Sequence, residues 1–546
     1  MSATATLDTN TAPNAAAQPW RPKINPWIVA MTVTLATFME VLDTSIANVA
    51  LPHIAGGLGA SQDEATWVLT AYLVANAIIL PAGAYMTTFI GRKKFYMICV
   101  ALFGISSALC GLAPSLPLLV FFRILQGVGG GGLAPSEQAI LADTFPPEKR
   151  GQAFAMYGLA VVVAPAIGPT LGGWITDNYD WRWIFFLNVP ICLLSLFLTS
   201  RIVEDPPYVE KQVKEAQKGG IRLDFLGFAL LGLTFGSLEF VLDKGQEDDW
   251  FSSRAITFFT VAMVVAFFSM IWWEIKQLRE GHRPIVNLTL FKRRNFAISF
   301  ILMFVLGFSL YGTTILIPQY VQTLLGYTAE LAGKVLSPAG FMMMAMMPVV
   351  GFLSSKVDPR KLIAFGFSML TISLVYMANI NLDASYGTLV VMRIFQASGL
   401  AFLFIPINTI AYIGVKQNEN NDVSGLTNLA RNVGGSCGTA FMATMLTRRT
   451  AAHENSMIRN LTPGDLTFMD RVHSFASTFA GGNGGSSSQG ALHTAQAYIY
   501  NMMHRQAQSL AYIDIIRYLT VFCACMLPLL FLLPKPPKGA SASAGH

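Results

Sequence analysis

The chain has 546 residues, 53% of them hydrophobic and only 12% charged, with a mean hydropathy of +0.50. A soluble protein carries about 25% charged residues, so a soluble globular protein is excluded. The formal net charge of +6 is small for this length and gives no footing for a nucleic-acid partner.

Apolar runs recur along the whole chain, each long enough to span a hydrocarbon core of about 30 Å as a helix. They lack the alternation over about 10 residues that a membrane barrel needs, so the class is all-α integral membrane. Residues 1–26 are polar, rich in Ala and Thr, and lack the basic n-region of a cleaved signal, so they read as a cytoplasmic tail. Fourteen transmembrane helices are predicted, near 27–50, 65–88, 95–113, 116–140, 152–175, 183–202, 223–242, 255–275, 297–320, 331–353, 361–380, 386–413, 424–446 and 512–534. Basic residues such as Arg92, Lys93, Lys94, Lys149, Arg150, Arg222, Arg293 and Arg360 fall in alternate loops, while the short loops at 51–64 and 114–117 carry no Lys or Arg. This bias places both termini in the cytoplasm.

Two pairs of segments repeat. PAGAYMTTFIGRKK (81–94) resembles PVVGFLSSKVDPRK (348–361), and FFRILQGVGGGGLAP (121–135) resembles VMRIFQASGLAFLFIP (391–406), at offsets of 267 and 270 positions. The expected organisation is a six-helix bundle at 27–202, a cytoplasmic linker at 203–222 and two inserted helices at 223–276. A second linker follows at 277–296, then a second six-helix bundle at 297–534 and a cytoplasmic tail at 535–546. The second bundle includes a long periplasmic segment, 447–511. Parallel repeats of this kind are one transporter design, with the site between the halves, although a channel or scaffold of two halves would show them too.

The chemistry-bearing residues are few. In FMEVLDTSIANVALP (38–52), Glu40 and Asp43 lie three residues apart on one helix face, with Thr44 beside Glu40. Arg123 is the candidate cation of the first half's spans. At 1.5 Å per residue, Asp43 and Arg123 both fall about 10–12 Å below the outer surface, so they can meet across the bundle. A carboxylate beside an arginine, in a cavity that opens and closes, has the physics of proton coupling. A permanent pair that fixes helix register is the alternative.

GVGGGG (127–132) sits inside a span, where close helix packing explains it better than phosphate binding. In the fifth span, GLAVVVAPAIGPTLGGWI (158–175), glycines permit close contact while Pro165 and Pro169 bend the helix. FMMMAMMP (341–348) offers adaptable methionines to a cavity, to lipid or to packing. Arg393, Asn408 and Arg431, polar residues in second-half spans, are candidate cavity residues. The six cysteines lie in apolar runs without metal-ligand spacing and read as small buried hydrophobes. No nucleotide loop, metal motif or nucleophile–base pair is present, so no enzyme, cofactor or metal is expected.

LDTSIANVALP, FFRILQGVGGGG and GPTLGGWI with the downstream DNYDWRWIFFLNVP resemble the first, fourth and fifth span signatures of the 14-span drug:proton antiporters, the EmrB/QacA-like family of the major facilitator superfamily. DKGQEDDWFSS (243–253), PIVNLTLFKRRNF (284–296) and the long outer segment are similar to the EmrB-like members in particular. The resemblance implies a major facilitator fold and proton-coupled efflux of small hydrophobic or amphipathic toxic compounds across the inner membrane. It further implies a periplasmic membrane-fusion adaptor as partner and, through it, an outer-membrane channel. It assigns Asp43 and Arg123 to proton coupling, with Glu40 as a neighbour, and Gly158, Gly168, Pro169, Gly172 and Gly173 to the antiporter motif. Gly91, Arg92, Lys93 and Lys94 match the cytoplasmic gate loop, but Thr88 and Phe89 stand where the family carries an Asp-Arg pair. The thirteenth span lacks the family proline and adds Arg431. Proton-coupled uptake, or a channel or scaffold role, is the alternative to efflux. In the outer segment, apolar residues spaced at helical intervals flank GGNGGSSSQG (481–490), which suggests two amphipathic helices around a linker.

Overall fold

A computed structural model describes residues 22–218, 224–459, 461, 466–482 and 488–533. Most of the N-terminal tail, the C-terminal tail and Arg222 of the first linker lie outside the described residues.

Helix α1 (Pro26–Leu58) starts where Pro26 needs no amide partner and the Asn25 side chain accepts from the Trp27 amide. It ends at Gly59, whose φ of 65° is left-handed. A capping box of Ser61 and Glu64 opens α2 (Gln62–Ile90). Then come α3 (Arg92–Gly111), α4 (Leu116–Gly131) and α5 (Leu133–Thr144), the last two forming one span. The fifth span is α6 (Arg150–Asn178). The short α7 (Trp183–Phe186) and α8 (Asn188–Ile202) complete the first half. A surface helix α9 (Pro207–Lys218) precedes the inserted pair α10 (Phe225–Lys244) and α11 (Arg254–Arg279).

The second half contains α12 (Arg294–Thr323), α13 (Ala329–Lys356), α14 (Pro359–Met377), α15 (Tyr386–Ala411) and α16 (Asn420–Ile458). It closes with α17 (Leu466–Gly482), α18 (Ser488–Ala524) and the short α19 (Met526–Leu529). Among the described residues, 13 helices are long and apolar enough to cross a membrane. The remaining predicted span, 424–446, lies in α16, whose first turns carry Asn420, Asn421, Asp422, Asn428 and Arg431. Those residues face protein: Asn420, Asp422, Asn428 and Arg431 are buried, and Asp422 pairs with Arg283 at 3.3 Å.

Lipid tails are as apolar as leucine, so helices in a bilayer associate through close packing. The glycine run supplies it. A Cβ on Gly127 would lie 2.5 Å from the Tyr72 carbonyl oxygen of α2, and one on Gly129 would lie 2.7 Å from the Phe103 nitrogen of α3. The two halves meet along two seams, α6 against α13 and α2 against α16. The inserted α10 lies over the second seam, touching both α2 and α16, and α11 packs on α10. Phe258, Val261, Val265, Phe268 and Trp272 of α11 are exposed and apolar, as a lipid-facing surface requires.

At one end of the bundle lie Gly91, α9 and the basic loops, here called the basic end. At the other lies 447–511, where the two expected helices stand as α17 and the first part of α18, and the stretch before them continues α16 to Ile458. α16, at 39 residues, and α18, at 37 residues, each exceed the roughly 20 residues a bilayer needs, and both run on beyond it. Arg449 and His453 of α16 hold Asp514 of α18, the first at 2.5 Å and the second at 2.8 Å, and His504 meets Glu454. Among the described residues of this segment, α17 alone is a separate helix. It folds back on α18 around Val472, Ala476, Ala491 and Ala495, with Phe475, Phe479 and Tyr498 closing the contact.

Candidate functional site

Asp43 is 2% exposed and Arg123 fully buried, and they pair at 2.6 Å. Three elements frame the pair. Asn188, at the start of α8, donates to Asp43 Oδ1 at 2.6 Å and to the Ser107 hydroxyl at 3.0 Å. Gln126, one turn after Arg123, donates to the same Oδ1 at 3.1 Å and accepts from Arg123 Nη1 at 2.7 Å. Arg123 Nε donates to the Val68 carbonyl of α2 at 3.0 Å. The carboxylate therefore accepts three charge-assisted or amide bonds inside the first half, which removes much of the cost of its burial.

Glu40 shares the helix but has a different neighbourhood. It is half-buried and accepts from the Tyr72 hydroxyl at 3.2 Å and the Asn76 amide at 3.1 Å. Tyr72 joins the two acids: its ring lies 4.4 Å from the Arg123 guanidinium carbon while its hydroxyl reaches Glu40. Thr44, expected beside Glu40, returns its hydroxyl to the Val41 carbonyl at 2.9 Å. A further carboxylate, Glu137 of α5, is fully buried; Thr34 donates to one oxygen at 2.6 Å and the other has no partner.

Hydrogen bonds from the start of α16 tie the halves together. Arg431 donates to the Tyr157 hydroxyl at 2.7 Å, Tyr157 donates to Asn428 at 2.9 Å, and Asn428 donates to Gln138 at 2.9 Å. Nearer the basic end Asn421 donates to Thr87 at 2.6 Å. There Asp143 is a hub. It pairs with Arg92, accepts from Tyr208 of α9 at 2.6 Å and from Asn420 at 2.7 Å, and Tyr208 also donates to the Gln417 carbonyl at 3.1 Å.

Arg92, in the loop after α2, thus has an acidic partner, although the loop lacks its own. Lys93 reaches the Ser200 carbonyl at 2.8 Å. The Lys93 amide donates to Asp205 at 3.0 Å, and burial holds the Asp205 carboxyl above the usual carboxylate range. Gly91 turns at φ 91°, and a Cβ there would also meet Asp205 at 3.2 Å.

The glycines of α6 divide. Gly168 and Gly172 lie against Ser45 and Ile46 of α1, whereas a Cβ on Gly158 would crowd Phe404 at 3.0 Å and Met347 at 3.1 Å, across the seam. Gly173 has open space around it, and Pro169 is exposed.

A cleft of about 750 Å³, counting its open mouth, lies between α6, α12, α13 and α15. Arg393 and Met343 line it. Asn408 and Arg431 are not among its lining residues: Asn408 bonds back to the Phe404 carbonyl at 3.0 Å. Among the described residues no group of three or more His, Cys, Asp or Glu could hold a metal ion. Of the cysteines, Cys525 is exposed and Cys437 half-buried.

Arg123 uses Nε and Nη1 together and stacks on Tyr72, which a lysine cannot copy. Arg123→Lys is therefore expected to destabilise the first half by about 1.5–3 kcal/mol, the worth of a lost charge-assisted bond, read as a lower unfolding temperature. An unchanged unfolding temperature would reduce this arginine to a point charge.

The sequence model of the Major Facilitator Superfamily matches residues 33–439. The multidrug export protein EmrB of Escherichia coli (strain K12) is 38% identical over 437 residues, 80% of this chain and 83% of that protein. The fatty acid resistance protein FarB of Neisseria gonorrhoeae is 38% identical over 442 residues, 80% of this chain and 84% of that protein. The solved structure of the proton:xylose symporter XylE aligns with a TM-score of 0.55 at 16% identity, covering 92% of this chain and 96% of that one.

Proposed function

This chain belongs to the Major Facilitator Superfamily, and from that premise we propose that it is a proton-coupled exporter of hydrophobic or amphipathic toxic compounds. It is a multi-pass transporter of the inner membrane, not an enzyme. The names of EmrB and FarB, each a relative over most of its length, support export of toxic compounds.

The observation that carries proton coupling is the buried Asp43–Arg123 pair, joined through Tyr72 to Glu40. Protonation of Asp43 breaks its charge balance with Arg123, and the released guanidinium keeps Gln126 and Val68 as its partners. Tyr72 moves with the guanidinium beneath which it stacks and so transmits the change to Glu40, at the face that substrate and the second half share. The basic end is the cytoplasmic side. The Asp143 hub and the α16 contacts seal it in this conformation, leaving the cleft to be served from the other side.

In everted vesicles energised with a pH gradient, added substrate should dissipate the gradient, and an imposed gradient should concentrate substrate inside. Substrate and protons moving in the same direction would establish uptake instead; flux without counterflow would establish a channel.

The segment beyond the membrane is the proposed dock for a periplasmic adaptor, leading to an outer-membrane channel. Its support is geometric. α16 and α18, joined where Arg449 and His453 meet Asp514, carry the α17 hairpin out from the bilayer, and Leu466, Tyr498, Tyr500 and Met502 remain exposed on it. Deleting 461–487 and joining the two long helices should abolish adaptor cross-linking and lower cellular resistance at least about tenfold, while transport in vesicles continues. Adaptor capture by the deleted protein would move the dock elsewhere.

A further inference from the structure

We propose that the cleft beside Arg393 is a binding site for organic anions, in which the guanidinium and the Gln396 amide take the acid group and apolar walls take the body of the ligand. This rests on the export reading and narrows its substrate class.

Arg393 follows Arg123 by 270 positions and Gln396 follows Gln126 by the same interval, so the second half reproduces the arginine and its glutamine. Arg393 Nη1 donates to Gln396 Oε1, as Arg123 donates to Gln126. The acid is what the second half lacks. At offsets of 267 to 270, the counterpart of Asp43 falls among Leu310, Tyr311, Gly312 and Thr313, none of them acidic. Among the described residues no carboxylate pairs with Arg393.

The unused bonding capacity points the same way. Arg393 Nε and Gln396 Nε2 are buried without partners, and Gln396 is fully buried. Both residues line the cleft, beside Val161, Leu310, Met343 and Leu400. Arg393 stands seven residues into α15, about 10 Å from that helix end, at the depth where Arg123 meets Asp43. An unbalanced cation at such depth is costly, and a ligand that brings the missing anion recovers the cost. A carboxylate fits the guanidinium fork, and the volume of the cleft falls within the roughly 300–1,000 Å³ of small-molecule sites.

The test uses the full chain in phosphatidylcholine nanodiscs and three probes of one shape: naphthoate, the neutral naphthamide and the cationic naphthylmethylammonium. Wild type should bind naphthoate about 10- to 100-fold more tightly than the amide, the range of one or two charge-assisted bonds. Arg393→Gln should erase that preference and leave the amide and the cation unchanged. Gln396→Glu, which supplies an internal carboxylate, should erase it as well and serves if Arg393→Gln does not fold. Equal binding of naphthoate and naphthamide by wild type, or equal weakening of all three probes by Arg393→Gln, overturns the proposal. Loss of naphthoate binding on adding phosphatidylglycerol also overturns it, by giving the site to lipid phosphate. Failure here leaves gradient-driven export of the cationic probe intact, whereas failure of the antiport reading removes its proton dependence.

Discussion

Asp43→Asn is expected to abolish substrate-driven proton movement in reconstituted vesicles while substrate counterflow continues. An asparagine can still accept from Asn188 and Gln126, but its amide would face Arg123 Nη1, donor against donor. The buried guanidinium then has no counter-charge, and breaking such a pair costs about 3–5 kcal/mol, so the variant should also unfold at lower temperature. Asp43→Asn combined with Arg123→Gln removes the orphaned cation. The double variant should recover stability without recovering proton coupling. If it drives export from a pH gradient at the wild-type rate, the pair serves only to fix helix register. Glu40→Gln should cost less than about tenfold, because Tyr72 and Asn76 can donate equally to an amide oxygen.

The second large effect is expected at Asp143. Its side chain is 4% exposed and holds Arg92, Tyr208 and Asn420, which belong to the first half, the linker and the second half. Asp143→Ala strands Arg92, itself 2% exposed, and should destabilise the sealed basic end by about 3–5 kcal/mol. That is roughly a hundredfold or more in the population open at this end. A cysteine at Ser354, which lies against Gly151 across the seam, reports it in a background without native cysteines. Its reaction with a polar maleimide should accelerate by about that factor in Asp143→Ala, and gradient-driven export should fall. An unchanged labelling rate would show that the α16 contacts alone seal this end.

The Asp43–Arg123 contact was legible because depth along a helix follows from counting residues, and two opposite charges at one depth in a bilayer have few other partners. The rest of their cage was not. Gln126 and Asn188 are ordinary polar residues in FFRILQG and FFLNVP, and only the third dimension brings α4 and α8 to the same oxygen. Glu137, in SEQAILAD, carried the same signal as Glu40, a carboxylate in an apolar run, and stood open to the same argument. The partner of Arg92 was hidden because the acid comes from α5, some fifty positions away, and not from the loop itself. In the outer segment, helical spacing was readable, but the unbroken continuation of α16 to Ile458 and of α18 from Ser488 was not. Apolar spacing alone does not mark where lipid ends.

The inserted pair has a consequence for how cargo arrives. α10 reaches both sides of one seam: Ser436 of α16 donates to Glu239 at 2.7 Å, while Trp67 of α2 stacks on Phe240 at 5.8 Å. That seam is shuttered against the bilayer, with α11 as its outer board. The other seam is α6 against α13, where Met347 lies against Gly158 and Pro165 lines the cleft, and that is the side left for a greasy molecule dissolved in the leaflet. Traffic drawn sideways from the lipid would be one-handed, and bulk added along α6 or α13 would screen cargo by girth before any charge is read.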